Sequence, residues 1–413
     1  MAVIVPFKAI RPSKEEAATI AALPYDVYNR KEAYEKVIKQ PKSFLAIDRP
    51  ETQFAEDIDM YSDEVYAKAA EMLKAWKAEG RFIQDDKPFY YVYELTMDSR
   101  SQTGIVACAS IDDYLNGTIK KHENTRAEKE LDRIHHVDTC DAQTGPIFLA
   151  YRSNSTISSI VSKVKTRQPV YDFVAEDGIV HRCWVIDDMT TCALIATTFD
   201  KMDSIYIADG HHRAASAVKV GQKRRQQHPD YTGKEAFNFF LSVLFPDDEL
   251  KIYDYNRVVK DLNHLSAEEL LAEIDNVAKL IKTSESQLRP EAKGQWSMFL
   301  NGTWYLYQFN AEIMNDDPVE GLDVSLLQNI VLEPLLGITD PKTDGRIDFV
   351  GGIRGLGELE NRCNTDAAVA FAMYPTSIKE LFDVADAGLL MPPKSTWFEP
   401  KLRSGLFIHD IRE

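Results

Sequence analysis

The chain has 413 residues, with 48 Lys and Arg against 65 Asp and Glu, for a formal net charge of −17. With 44% hydrophobic and 10% aromatic residues it can build real cores, so disorder as the dominant state is excluded, and at about 150 residues per domain the length suggests two or three domains. The acidic balance argues against a protein whose main work is holding duplex DNA, because neutralising phosphates needs a dense basic surface.

No stretch approaches the roughly 18 consecutive apolar residues of a membrane helix, and residues 1–12 lack the pattern of a secretory signal. A cytoplasmic protein without a membrane partner is expected. The cysteines Cys108, Cys140, Cys183, Cys192 and Cys363 are odd in number and never spaced C-x-x-C, which speaks against a disulfide framework or a Cys-rich zinc site.

In chain order, residues 62–79 read as an amphipathic helix, with Val65, Ala69, Met72, Leu73 and Trp76 at helical spacing and Gly80 as its stop. Strands are expected at 89–95 and 104–111, with a turn at Asn116-Gly117. Further strands are read at 147–151, 205–208 and 237–245, with helical or polar segments between them. The basic runs Lys163, Lys165, Arg167 and Lys223, Arg224, Arg225 read as solvated faces.

An acidic turn at Pro246-Asp247-Asp248 suggests a boundary near residue 250, giving domains 1–250 and 251–413. Beyond it, the capping box Ser266-x-x-Glu269 opens a helix expected to carry Leu270, Leu271, Ile274, Val277 and Ile281. Residues 296–300 and 304–309 form a hairpin through Asn301-Gly302. A strand at 368–374 precedes a helix with the capping box Ser377-x-x-Glu380 and the stop Gly388. Residues 351–357 are Gly-rich but match no nucleotide loop and read as a turn, and the proline-containing tail, residues 391–406, is expected to be irregular and able to fold back over the first domain.

The strongest chemical signal is the strand running into Asp209-Gly210-His211-His212-Arg213, with a helix expected to start near His212 or Arg213. Helix N-termini offer free N–H groups and a positive dipole end, Gly210 lets the backbone approach, and Arg213 adds a bidentate donor, so the junction reads as a phosphate site. The alternative is that Asp209 caps the helix and the histidines lie on the surface. The second signal, residues 120–126, places Glu123 among cations, which suits a general base, a metal ligand or a charged helix start. A composite metal site from His122, one member of each pair His135-His136 and His211-His212, and Asp209 stays open, although adjacent histidines point to different sides. In the tail, Lys394, Ser395, Thr396 and Lys401 either clamp an anion or surround the packing of Trp397 and Phe398. No nucleophile elbow is present, so hydrolase chemistry of that kind has no support.

Residues 6–12, 24–27, 122–125, 145–148, 208–213, 391–396 and 400–405 together resemble the domain-of-unknown-function family 1015, which is similar to the ParB and sulfiredoxin superfamily. Within that superfamily the free-serine kinases carry an Asp-Gly-His box and an earlier catalytic glutamate. The resemblance implies an α+β fold, with a ParB/sulfiredoxin-like mixed-sheet N-terminal domain and a second α+β domain. It implies that Asp209, Gly210, His211, His212 and Arg213 hold nucleotide phosphates, that Glu123 and Asp209 are catalytic, and that Mg²⁺ and ATP or ADP are used, with Asp209 a candidate metal contact. The expected activity is phosphoryl transfer to a hydroxyl, free L-serine first, with His122, Arg126, Lys394 and Ser395 as candidate substrate contacts. The alternatives are a ParB-type nucleotide-binding regulatory module and a metal-dependent phosphoesterase. Sequence-specific nucleic-acid binding is not expected, because a helix-turn-helix reader is lacking and the charge is wrong.

Overall fold

The computed structural model describes residues 1–412. It is an α+β protein of two compact units: residues 1–250 together with the chain from Pro400 onward, and Lys251–Glu399.

The first unit is organised by a nine-stranded mixed sheet. Its strands are β1 (Ile4–Val5), β2 (Tyr90–Met97), β3 (Arg100–Ser110), β4 (Ile119–Lys120), β5 (Ile147–Tyr151), β6 (Tyr171–Val174), β7 (Val180–Ile186), β8 (Ile205–Asp209) and β9 (Phe239–Pro246). They run in the order β4-β8-β5-β9-β3-β2-β7-β6, with β1 also pairing with β3. The pairs β4/β8 and β5/β9 are parallel, while the other pairs are antiparallel. Strands β5 and β9 are buried along almost their whole length, which is why they read as unbroken apolar runs. The turn between β2 and β3 uses Asp98 and Ser99 in the left-handed region, at φ 50° and 66°, a geometry that suits the twist of a tight hairpin.

The longer helices of this unit are α1 (Arg30–Lys39), α2 (Asp63–Ala78), α3 (Ala127–Cys140), α4 (Ser155–Lys165), α5 (Met189–Phe199) and α6 (His211–Gln227). Helix α2 buries Val65, Ala69, Leu73 and Trp76 and ends before Gly80, at φ +74°. Ala69, Leu73 and Trp76 join Phe44, Phe82 and Ile408 in one core, while Ile157, Phe199, Ala214 and Val218 from α4, α5 and α6 pack with the sheet in another. Burying each large side chain of this kind contributes about 1.5–3 kcal/mol.

The second unit carries a six-stranded antiparallel sheet built from β10 (Tyr255–Val259), β11 (Ala278–Ser284), β12 (Gln295–Leu300), β13 (Thr303–Phe309), β14 (Ile347–Gly351) and β15 (Val369–Met373). Asn301 and Gly302, at φ 49° and 80°, close the β12–β13 hairpin. Both capping boxes form, opening α7 (Ala267–Asp275) and α9 (Ile378–Asp386), with α8 (Leu356–Thr365) between them.

Three expectations need correction. Helix α7 stops at Asp275, so Val277 and Ile281 are not part of it; the chain turns into β11, whose backbone groups pair with the open edge of the hairpin at β13. A register shift between Leu280 and Lys282 breaks the alternation and leaves Leu280 and Ile281 exposed at 39% and 47%. The last residues do not stay with 251–399: Ser404 bridges Ala22, Ile408 bridges Ile10, and His409–Asp410 pair with Ala142–Gln143, which buries Leu406, Phe407 and Ile408 in the first unit. Helix α6 begins at His211, one residue before the expected start, because Gly210 serves as its N-cap in the left-handed conformation.

Candidate functional site

Topology brings distant residues to one end of the first sheet. Strand β8 runs parallel to β4, with Ile205 opposite Ile119 and Tyr206 opposite Lys120. Both chains therefore leave the sheet at the same end, Lys121-His122-Glu123 beside Asp209-Gly210. Because β8 is antiparallel to β5, with Asp209 opposite Phe148, the residues that precede β5, Gly145 and Pro146, arrive there too.

Gly210 has φ +92°, and a Cβ on it would lie 3.0 Å from the Arg213 guanidinium. The glycine is thus required twice, for its backbone angle and for the arginine packed against it. Arg213 is only 11% exposed; Nη2 donates to Asp209 Oδ2 at 3.3 Å and Nη1 donates to the Pro146 carbonyl. Lys401 brings its Nζ to 3.7 Å from the same carboxylate oxygen. Burial opposes ionisation of Asp209, but Lys401 and Arg213 outweigh it and hold the carboxyl down to about 2. The loop is therefore a buried anchor of charge with Asp209, one-third exposed, at its mouth.

The histidines are interior groups. His122 and His211 are 2% and 5% exposed and meet edge to face at 4.6 Å between ring centres. Burial pushes His122 down to about 4 and His211 well below the usual range, the latter helped by its neighbour His122. Both rings are neutral near pH 7, so the 3.8 Å approach of His211 Nδ1 to Glu123 Oε2 is a contact with a neutral ring rather than an ion pair. His122 Nδ1 and His211 Nε2 are buried without a hydrogen-bond partner among the described residues. Glu123 itself has a side chain 42% exposed.

The segment between Glu123 and α3 is tied to α6. The Arg126 amide donates to His212 Nε2 at 3.0 Å, Thr125 Oγ1 donates to Glu130 Oε2 at 2.7 Å, and Ser216 Oγ donates to the Glu130 carbonyl at 3.0 Å. His212 Nε2 thus acts as an acceptor that positions a loop, while the Arg126 side chain is exposed. The structure brings together His122, Glu123, Asp209, Gly210, His211 and Arg213. Lys394 and Ser395 belong to the second unit, where the Ser395 hydroxyl donates to the Pro392 carbonyl at 2.7 Å.

Sequence reading named Lys401 only as part of a tail motif and missed its partnership with Asp209, which no local spacing signals. Neither basic run is a bare cationic face: Lys165 pairs with Glu94, Arg167 with Asp187, Lys223 and Arg224 with Asp138, and Arg225 with Asp112. Among the described residues no three His, Cys, Asp or Glu side chains gather in a way that would hold a metal ion, so the composite histidine site does not form. Nor does any helix among them reach the length and apolarity needed to cross a membrane.

A mixed-sheet α+β protein with a cation-backed strand-to-helix loop is the class that this fold and site define. The chain belongs to the family described as "Protein of unknown function (DUF1015)", whose model matches residues 4–325. No curated protein matches it. Among solved structures it is similar to a free serine kinase variant in complex with AMP, at 14% identity and a TM-score of 0.36, covering 73% of this chain and 92% of that one. It is also similar to SbnI with a C-terminal truncation from Staphylococcus aureus, at 12% identity and a TM-score of 0.40, covering 74% and 87%. A conserved hypothetical protein from Pyrococcus furiosus gives 15% identity and a TM-score of 0.36, covering 74% and 94%. A likeness of this degree says nothing about which reaction this chain performs.

Proposed function

We propose that the chain is a small-molecule kinase that transfers a phosphoryl group from ATP or ADP to a hydroxyl, with free L-serine the first acceptor to test. The observation that carries this reading is the convergence of a half-exposed carboxylate, Glu123, with a cation-backed loop at the N-terminus of a 17-residue helix. Phosphoryl transfer asks for positioned phosphates, neutralised charge and an oriented nucleophile, and little covalent help. The N–H groups at the start of α6, with Arg213 and Lys401 behind them, favour the phosphates. Glu123 accepts the proton of the acceptor hydroxyl, and His211, neutral and 3.8 Å from that carboxylate, adds no charge beside it.

Mg²⁺ commonly reaches such sites with the nucleotide and needs only one or two protein carboxylates, and Asp209, ionised and one-third exposed, fits that role. When bound it supplies charge neutralisation on the transferred group. Incubation of the full chain with ATP or ADP, Mg²⁺ and pooled amino acids, read by mass spectrometry, should yield a phosphorylated product. Nucleotide binding without acceptor-dependent turnover across a broad panel would contradict the kinase reading and leave a nucleotide-binding module instead.

A further inference from the structure

The first unit contains a cleft of about 700 Å³, inside the range of roughly 300–1,000 Å³ common for small-molecule sites. None of its walls comes from residues 119–126, 145–148 or 209–213; they come from the 18–23 segment, Tyr28, α1 and the chain after it, the turn at 175–177, and Arg403. Lys36, Lys39, Lys42 and Arg403 line it against the carboxylates Glu176 and Asp177, an excess of cations on an otherwise acidic protein. Lys36 pairs with Glu176, and Lys42 lies 3.2 Å from Glu16, whereas Lys39 has no ion pair among the described residues.

Arg403 is the unusual wall residue. Its side chain is 3% exposed, one arm of the guanidinium pairs with Asp177, and Nη1 is buried with no hydrogen-bond partner among the described residues. A charged donor left unsatisfied in the interior costs more than a neutral one, and such groups call for an explanation. Arg403 nonetheless lines the cleft, and guanidinium and ammonium groups bind carboxylate and phosphate oxygens through charge-assisted hydrogen bonds.

We propose that this cleft binds a small organic molecule carrying a phosphate or carboxylate group, with Arg403 meeting the oxyanion and Lys39 approaching from the end of α1. The site is independent of the Asp209 loop and of the reaction assigned to it.

Calorimetric titration of the full chain with glycerol 3-phosphate and, separately, malonate tests the proposal, the two arms distinguishing phosphate from carboxylate recognition. At least one probe should bind saturably, and Lys39→Glu, at an exposed helix position, should weaken it by about tenfold or more. Arg403→Gln should abolish the same isotherm, and Arg213→Ala should leave it in place. Absence of saturable binding by both probes at millimolar concentration, or binding that Lys39→Glu leaves intact, would overturn the proposal. Binding lost on Arg213→Ala instead would assign the anion to the Asp209 loop.

Discussion

His122 shows how a single residue ties the site to stability. Burial holds its imidazole down to about 4, whereas in an unfolded chain a histidine titrates near 6.5. As the pH falls below about 6.5 the unfolded state takes up a proton that folded His122 refuses until about 4. Its contribution to stability is therefore complete above that window and is lost within it, by about 3 kcal/mol for this one group. His181 and His211 shift in the same direction, burial being the main cause for each. Asp209 is depressed too, to about 2, so its share is complete above the unfolded-state value of about 3.9 and is lost as the pH falls from there towards 2. Denaturant midpoints should accordingly fall between pH 7 and pH 4.5, and His122→Asn should flatten part of that slope; an unchanged slope would mean that His122 does not titrate as a buried neutral group.

At the scale of elements, the junction from β8 to α6 depends on Gly210. An alanine there must adopt φ near +92° and place its Cβ 3.0 Å from the Arg213 guanidinium, so Gly210→Ala should cost about 1–3 kcal/mol and displace the arginine. A thermal unfolding curve equal to that of the parent would contradict this geometry. The elements legible in the sequence are those whose signals are local: the period of α2, the capping boxes of α7 and α9, and the Asn301-Gly302 hairpin. Strand β11 was not legible, because what makes it a strand is the hairpin edge beside it rather than its own spacing. Residues 120–126 read equally well as the charged start of a surface helix, and the helix that follows them is α3. Yet Asp132, Arg133 and His136 are buried: Asp132 accepts from Tyr66 at 3.0 Å, Arg133 lies 4.0 Å over the Tyr25 ring, and His136 meets the Ile47 carbonyl at 2.9 Å. Charge pattern alone does not tell which face of a helix turns inward when buried partners compensate the charge.

For the whole molecule, the informative contacts are those between parts remote in sequence. The Asp209-Gly210-His211-His212-Arg213 loop stood out as a unit, but its meeting with Glu123 follows from the parallel pairing of β4 and β8, and its second cation, Lys401, arrives only because the chain after Pro400 returns to the first unit. The net charge of −17 is compatible with these local cation sites because most cations of the basic runs each meet a separate carboxylate, whereas Arg213 and Lys401 gather around the single carboxylate of Asp209. Binding and chemistry should consequently separate by residue. The most direct measurement is nucleotide affinity and product formation on Glu123→Gln in parallel with the parent chain. A general base acts in the transition state, so nucleotide affinity should stay within about twofold while turnover falls by roughly 100- to 10,000-fold. Retention of most of the turnover by Glu123→Gln would make Glu123 a surface carboxylate and contradict the assignment of this site to phosphoryl transfer.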